Sequence, residues 1–74
     1  MKNSGRIIKL PDQRLVIVYD NQPLAKSKGK IILNLVDEKY NLIKYENSKP
    51  KIIMKDISSY NEEIKTSTLI GYVN

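Results

Sequence analysis

The chain has 74 residues, no Cys, no His and a net charge of +5. That length admits one small domain spanning 1–74, and the missing residue types exclude disulfides, thiolate nucleophiles, Cys/His zinc sites and imidazole acid–base chemistry. With 41% of its residues apolar, the chain has the composition of a globular domain and not of a disordered tail. No apolar run approaches the roughly 18–20 residues that span a bilayer, and no signal-type apolar region follows Met1-Lys2-Asn3. The expectation is a soluble, cytoplasmic protein with no membrane partner.

Ile and Val dominate the apolar residues (11 and 4) and suit a pleated, half-buried surface. They fall in short runs separated by turn chemistry. Gly5 to Leu10 is the first predicted strand, followed by a tight turn at Pro11-Asp12-Gln13-Arg14, where Pro11 presets the φ of a type I turn. Leu15 to Asp20 is the second. Leu15, Ile17 and Tyr19 share one face and Val16 and Val18 the other, so both faces are apolar and the strand reads as central. The stretch from Asn21 to Gly29 is irregular. Lys30 to Val36 alternates cleanly, with Ile31, Leu33 and Leu35 on one face and Lys30, Ile32 and Asn34 on the other.

A turn over Asp37 to Asn41 leads into a fourth predicted strand, Leu42 to Tyr45. A second turn, Glu46 to Pro50, leads into Lys51 to Lys55. Ser59 and Glu62 have the spacing of a capping box and place one short helical turn within Ser58 to Lys65. Thr66 to Val73 is the last strand, with Gly71 as a bulge or close-packing position.

Five or six short strands, a long loop and one helical turn before the last strand predict an all-β fold, closed into a small barrel to remove exposed edges. The order of elements, and chiefly the hairpin Gly5-Arg6-Ile7-Ile8-Lys9-Leu10-Pro11-Asp12-Gln13-Arg14-Leu15-Val16-Ile17-Val18, resembles the SH3-like barrels of the KOW and Tudor type. A glycine often lies in or just after the turn of such modules. Here Gln13 and Leu15 stand there, so the KOW signature itself is not matched.

Catalytic chemistry finds little to work with. Asp37-Glu38 and Glu62-Glu63 are adjacent pairs, which an extended strand would point to opposite faces. Ser27-Lys28-Gly29-Lys30 lacks the glycine spacing of a phosphate loop, and Asp37 to Asn41 lacks that of a calcium loop. The expectation is a protein that is not an enzyme and takes no metal or cofactor.

The charge is unevenly placed. Residues 1–36 carry seven cations and two anions, whereas residues 37–74 carry six of each. Lys26, Lys28 and Lys30 would form a positive ridge on an extended backbone, with Arg6 and Arg14 flanking it. Those five residues are the candidate contacts to nucleic-acid phosphates. Against this stand only two arginines, no aromatic platform on the ridge, and a Lys/Ile/Asn/Tyr-rich composition that A/T-rich codons would also produce.

Tyrosines are the only aromatics, five in all. Tyr19 and Tyr72 read as rim residues. Tyr40, Tyr45 and Tyr60 lie beside turns and are the candidate protein-interface residues. The leading expectation is a non-catalytic interaction or assembly module, of the kind found among accessory and phage-type mobile-element proteins, acting on a protein partner. The alternative is a nucleic-acid-binding module using the basic N-terminal half. Homo-oligomerisation fits a chain too small to bury much of its own surface.

Overall fold

A computed structural model describes residues 4–73; Met1-Lys2-Asn3, read above for a leader, lie outside the described residues. The elements in chain order are β1 (Gly5–Lys9), β2 (Leu15–Tyr19), α1 (Pro23–Ser27), β3 (Lys30–Leu35), β4 (Ile52–Asp56), α2 (Ile57–Ile64) and β5 (Thr68–Val73). All five strands join one antiparallel sheet in the order β4-β3-β2-β1-β5. The fold is small and β-rich. Its sheet is not closed: among the described residues, β4 and β5 are its two edges.

β2 is the middle strand, which its two apolar faces require. On one face, Ile8, Leu10, Val16, Val18, Ile31 and Leu33 form a buried cluster with Tyr60 of α2, sealed by Leu35, Ile53, Ile57 and Ile64. On the other, Ile7, Ile17 and Val36 are buried under Leu15, Tyr19, Leu42 and Val73. Gly5 is needed where β1 meets β2, since a Cβ there would lie 2.8 Å from the Val18 carbonyl oxygen.

The segment expected to be irregular contains α1. Pro23 sits in its first turn, where a missing N–H costs nothing, and Leu24, Ala25 and Lys26 are good helix formers. Five residues are too few to show a helical period. The expected strand Leu42 to Tyr45 shrinks to two isolated bridges, Val36↔Leu42 and Lys44↔Pro50, because tight turns on both sides leave it too short for a ladder.

The expected capping box does not form. α2 starts at Ile57, immediately after β4, with Asp56 at its N-cap and no side-chain cap. The Asp56 carboxylate is instead paired with Lys30 across the sheet, and Ser59 lies inside the helix. Backbone bonds from Thr66 to Glu63 and from Ser67 to Ile64 extend the helical end, delaying β5 to Thr68. The register of β5 against β1 shifts between Leu69 and Gly71. The bulge expected near Gly71 is therefore present, but Gly71 is not a close-packing site, since a Cβ there meets nothing within 4 Å.

Three turns share one design. In each of Leu10–Arg14, Asp37–Asn41 and Tyr45–Lys49, the fourth N–H bonds back to the first carbonyl and the first N–H bonds to the fifth carbonyl. The fourth residue takes the left-handed conformation: Gln13 at φ 78°, Tyr40 at 66° and Ser48 at 66°. This is the three-residue hairpin loop that ordinarily holds glycine at that place. A side chain there costs about 1 kcal/mol. Gln13→Gly and Ser48→Gly are each expected to stabilise the protein by about 0.5 kcal/mol, after allowing for glycine's freedom in the unfolded chain. Urea denaturation checks this, and a loss of stability at both positions would contradict it.

Candidate functional site

The fold brings two of the residues singled out from the sequence, Arg6 and Lys26, together at Asp20 and forms no single basic ridge from the rest. α1 and the turn after it replace the extended backbone that a Lys26/Lys28/Lys30 ridge requires, so the ridge does not form. Lys26 lies in α1 and its Nζ donates to the Asp20 carbonyl at 2.7 Å. Lys28 follows the helix as its C-cap residue, exposed. Lys30 lies in β3, paired with Asp56.

The two arginines are also engaged. Arg6 lies 4.0 Å from Asp20. Arg14 donates from Nε to Asp12 at 2.7 Å. That hydrogen bond, with a second from the Arg14 backbone, holds the Asp12 carboxyl below its ordinary range and raises the guanidinium's own pKa. Four of the five candidate cations thus have a partner within the chain, and a phosphate would have to displace each one. Exposed pairs of this kind are weak and leave the charge excess of residues 1–36 in place; what they oppose is the free reach of these four side chains to a phosphate.

Among the tyrosines, Tyr40 and Tyr45 are exposed at turns, and Lys51 Nζ sits 5.2 Å from the Tyr45 ring centroid. Tyr60 does not belong with them. It is only 5% exposed, because the helix is longer than expected. Ile57, Tyr60 and Ile64 are spaced to form its sheet-facing stripe. Its hydroxyl finds no hydrogen-bond partner among the described residues, and burial raises its pKa.

The neutral phenol therefore favours the fold. Its contribution is complete below about pH 10 and declines as pH rises through the folded-state value. Tyr60→Phe should leave stability at pH 7 unchanged or raise it by up to about 1 kcal/mol, and should weaken the alkaline loss. Thermal unfolding between neutral and alkaline pH tests it. A marked drop at pH 7 would mean that the hydroxyl is bonded after all.

The residues that sequence reasoning passed over lie on β5. Leu69, Ile70 and Tyr72 are exposed by 50, 41 and 72% on an edge strand. Leu69 pairs with Ile8 and Tyr72 with Arg6. Arg6 and Ile8 are two apart and share a face, so the bulge brings Leu69 and Tyr72, three apart, onto one face also. Behind them is a cleft of about 240 Å³, lined by Arg6, Ile8, Ile64, Ser67, Leu69 and Tyr72. The signal was present as a stretch without charge, but its edge position depends on pairing with β1, at the other end of the described chain.

The opposite edge is different. Ile52 and Met54 are exposed on β4, but Lys51 just before that strand and Lys55 and Asp56 within it supply charge, and Lys55 also bonds Glu63 of α2 at 3.0 Å. Charges are the usual guard of a sheet edge. Between β2 and β3 lies a second cleft, of about 310 Å³, bordered by Tyr19, Gln22, Ile32, Asn34 and Ile52. Among the described residues, no group of three or more metal-ligating side chains converges, and no helix is long and apolar enough to cross a membrane. Comparison of the chain with protein-family models, curated proteins and solved structures finds no match.

Proposed function

We propose that this chain is a non-catalytic protein-interaction module that engages its partner through the outer edge of β5. One observation carries the reading: an edge strand with three exposed apolar side chains and no charged residue to blunt it. Strand addition uses such an edge, with main-chain hydrogen bonds giving affinity and the side-chain clefts giving selectivity. The likeness to SH3-like modules is carried in this reading as an expectation from the first hairpin, on a sheet that is open and has β5 beside β1. The same reading extends to an accessory role in the cytoplasm, with the module occupying a larger partner.

The alternative, phosphate binding by the basic N-terminal half, loses support from the internal pairing of its cations. An amide chemical-shift titration with short single- and double-stranded oligonucleotides separates the two. The expected result at physiological salt is a spectrum without shifts. Salt-sensitive shifts concentrated on residues 24–30 and the first hairpin would overturn the proposal in favour of nucleic acid. A photoreactive side chain at position 70 should cross-link to protein, whereas one at position 28 should not.

A further inference from the structure

We infer that the partner at the β5 edge is a second copy of this chain, joined antiparallel about a two-fold axis between Ile70 and Gly71. The inference rests on the β5 reading above and makes it specific. Its first ground is self-complementarity. In that register Leu69 lies opposite the partner's Tyr72, and Thr68 opposite the partner's Val73. Leu69 and Tyr72 share one face of the sheet, as their pairing with Ile8 and Arg6 requires. Residues meeting across the axis are therefore on matching faces, which the two-fold demands. Without the bulge at Ile70 this register would set opposite faces against each other.

The second ground is charge. Each copy carries +5, with 21 charged residues in all (13 + 8), yet residues 66–74 carry none. It is the longest uncharged run in the chain. Two copies meeting there bring no like charges together along the seam. A foreign partner is ordinarily steered and selected by charge complementarity, and this strand offers none. It does offer its own mirror in sequence order. The charged β4 edge cannot repeat the contact, so assembly closes at two copies with a ten-stranded sheet instead of running on as a fibre.

The third ground is area. Leu69, Ile70 and Tyr72 expose 50, 41 and 72% of their surface, on the order of 350 Å² per copy, and the strand backbones add to it. The three side chains of both copies together offer about 700 Å², so even with the backbones added the pair falls below the roughly 1,200–2,000 Å² of standard interfaces and belongs with the weak, transient ones. The dimer should therefore be reversible, dissociating between high micromolar and millimolar concentration.

Sedimentation from low micromolar to millimolar concentration should show the mass rising from 8.5 kDa toward twice that value and stopping there. Leu69→Lys alone and Tyr72→Glu alone should each remain monomeric, with unfolding midpoints close to that of the parent. Mixing the two variants should restore a dimer, because one contact then pairs opposite charges while the other stays apolar. A dimer in both single variants, or none in the mixture although the parent dimerises, overturns the register. A parent that stays monomeric at millimolar concentration overturns the second copy as partner. If position 70 then cross-links to some other protein, and adding Leu69→Lys to that probe-bearing chain abolishes the adduct, the β5 reading survives alone. If it cross-links to nothing, both fall.

Discussion

Leu33→Ala should lower the free energy of unfolding by about 3–4 kcal/mol. Leu33 is completely buried in the α2-facing cluster, which joins side chains of β1, β2, β3 and α2. A sheet covered on this face by one eight-residue helix can collapse only partly around the lost volume, so both transfer and cavity costs apply. A 74-residue domain has on the order of 4–11 kcal/mol in total. The substitution therefore removes a large share of it, and at the lower end of that range leaves much of the chain unfolded at 25 °C. Urea denaturation measures the loss directly. A midpoint shift worth less than about 1 kcal/mol would mean that the helix does not pack as tightly on β3 as its burial implies.

Gln22→Glu should be nearly as damaging, but only when the new carboxyl is ionised. The paired residues of β2 and β3 are just Val16↔Leu35 and Ile17↔Asn34. Beyond them the Gln22 carboxamide stands in for the missing ladder. Its Nε2 donates to the Tyr19 carbonyl at 2.8 Å and to the Ile32 carbonyl at 2.9 Å, and its Oε1 accepts from the Ile32 N–H at 2.7 Å. A carboxylate keeps the one acceptor contact and aims negative charge at two carbonyl oxygens. The expected cost at pH 7 is about 2–4 kcal/mol. A protonated carboxyl can donate to one of those oxygens, so the fold raises this group's pKa above the ordinary value near 4.3. The variant should thus approach parent stability below about pH 4 and fall away as pH rises toward 7. Equal losses at pH 4 and pH 7 would show that geometry, and not charge, is at fault.

Local chemistry made some of this legible and long-range pairing hid the rest. The alternation in Lys30 to Val36 and the doubly apolar Leu15 to Asp20 announced β3 and the central β2, because side-chain period and burial are written into neighbouring residues. Pro11-Asp12 announced its turn for the same reason. Gln22 gave no such signal: one polar residue in a loop does not show which strand it will bridge ten residues later. The position of Tyr60 depended on where α2 begins. That start is set by Asp56, held by Lys30, and by the Ile57 N–H donating to the Gly29 carbonyl at 3.0 Å. Tyr72 read as a rim residue because nothing nearby says that β5 has a neighbour on one side only. Arg6, Lys26 and Lys30 looked available for the same reason, since Asp20 and Asp56 are brought to them by the fold, whereas Arg14 has its partner Asp12 only two residues away.

The three left-handed turn residues also bear on the order of events in folding. Gln13, Tyr40 and Ser48 each oppose their own backbone geometry, so an isolated hairpin in the unfolded chain gains little by closing first. Hairpins with glycine at these places can act as early nuclei. Here the cost of each turn must be met by contacts between strands and α2, which places nucleation in the shared cluster around Leu33 and Tyr60 and leaves the turns to close late. Glycine at position 13 or 48 would then slow unfolding while leaving the folding rate almost untouched.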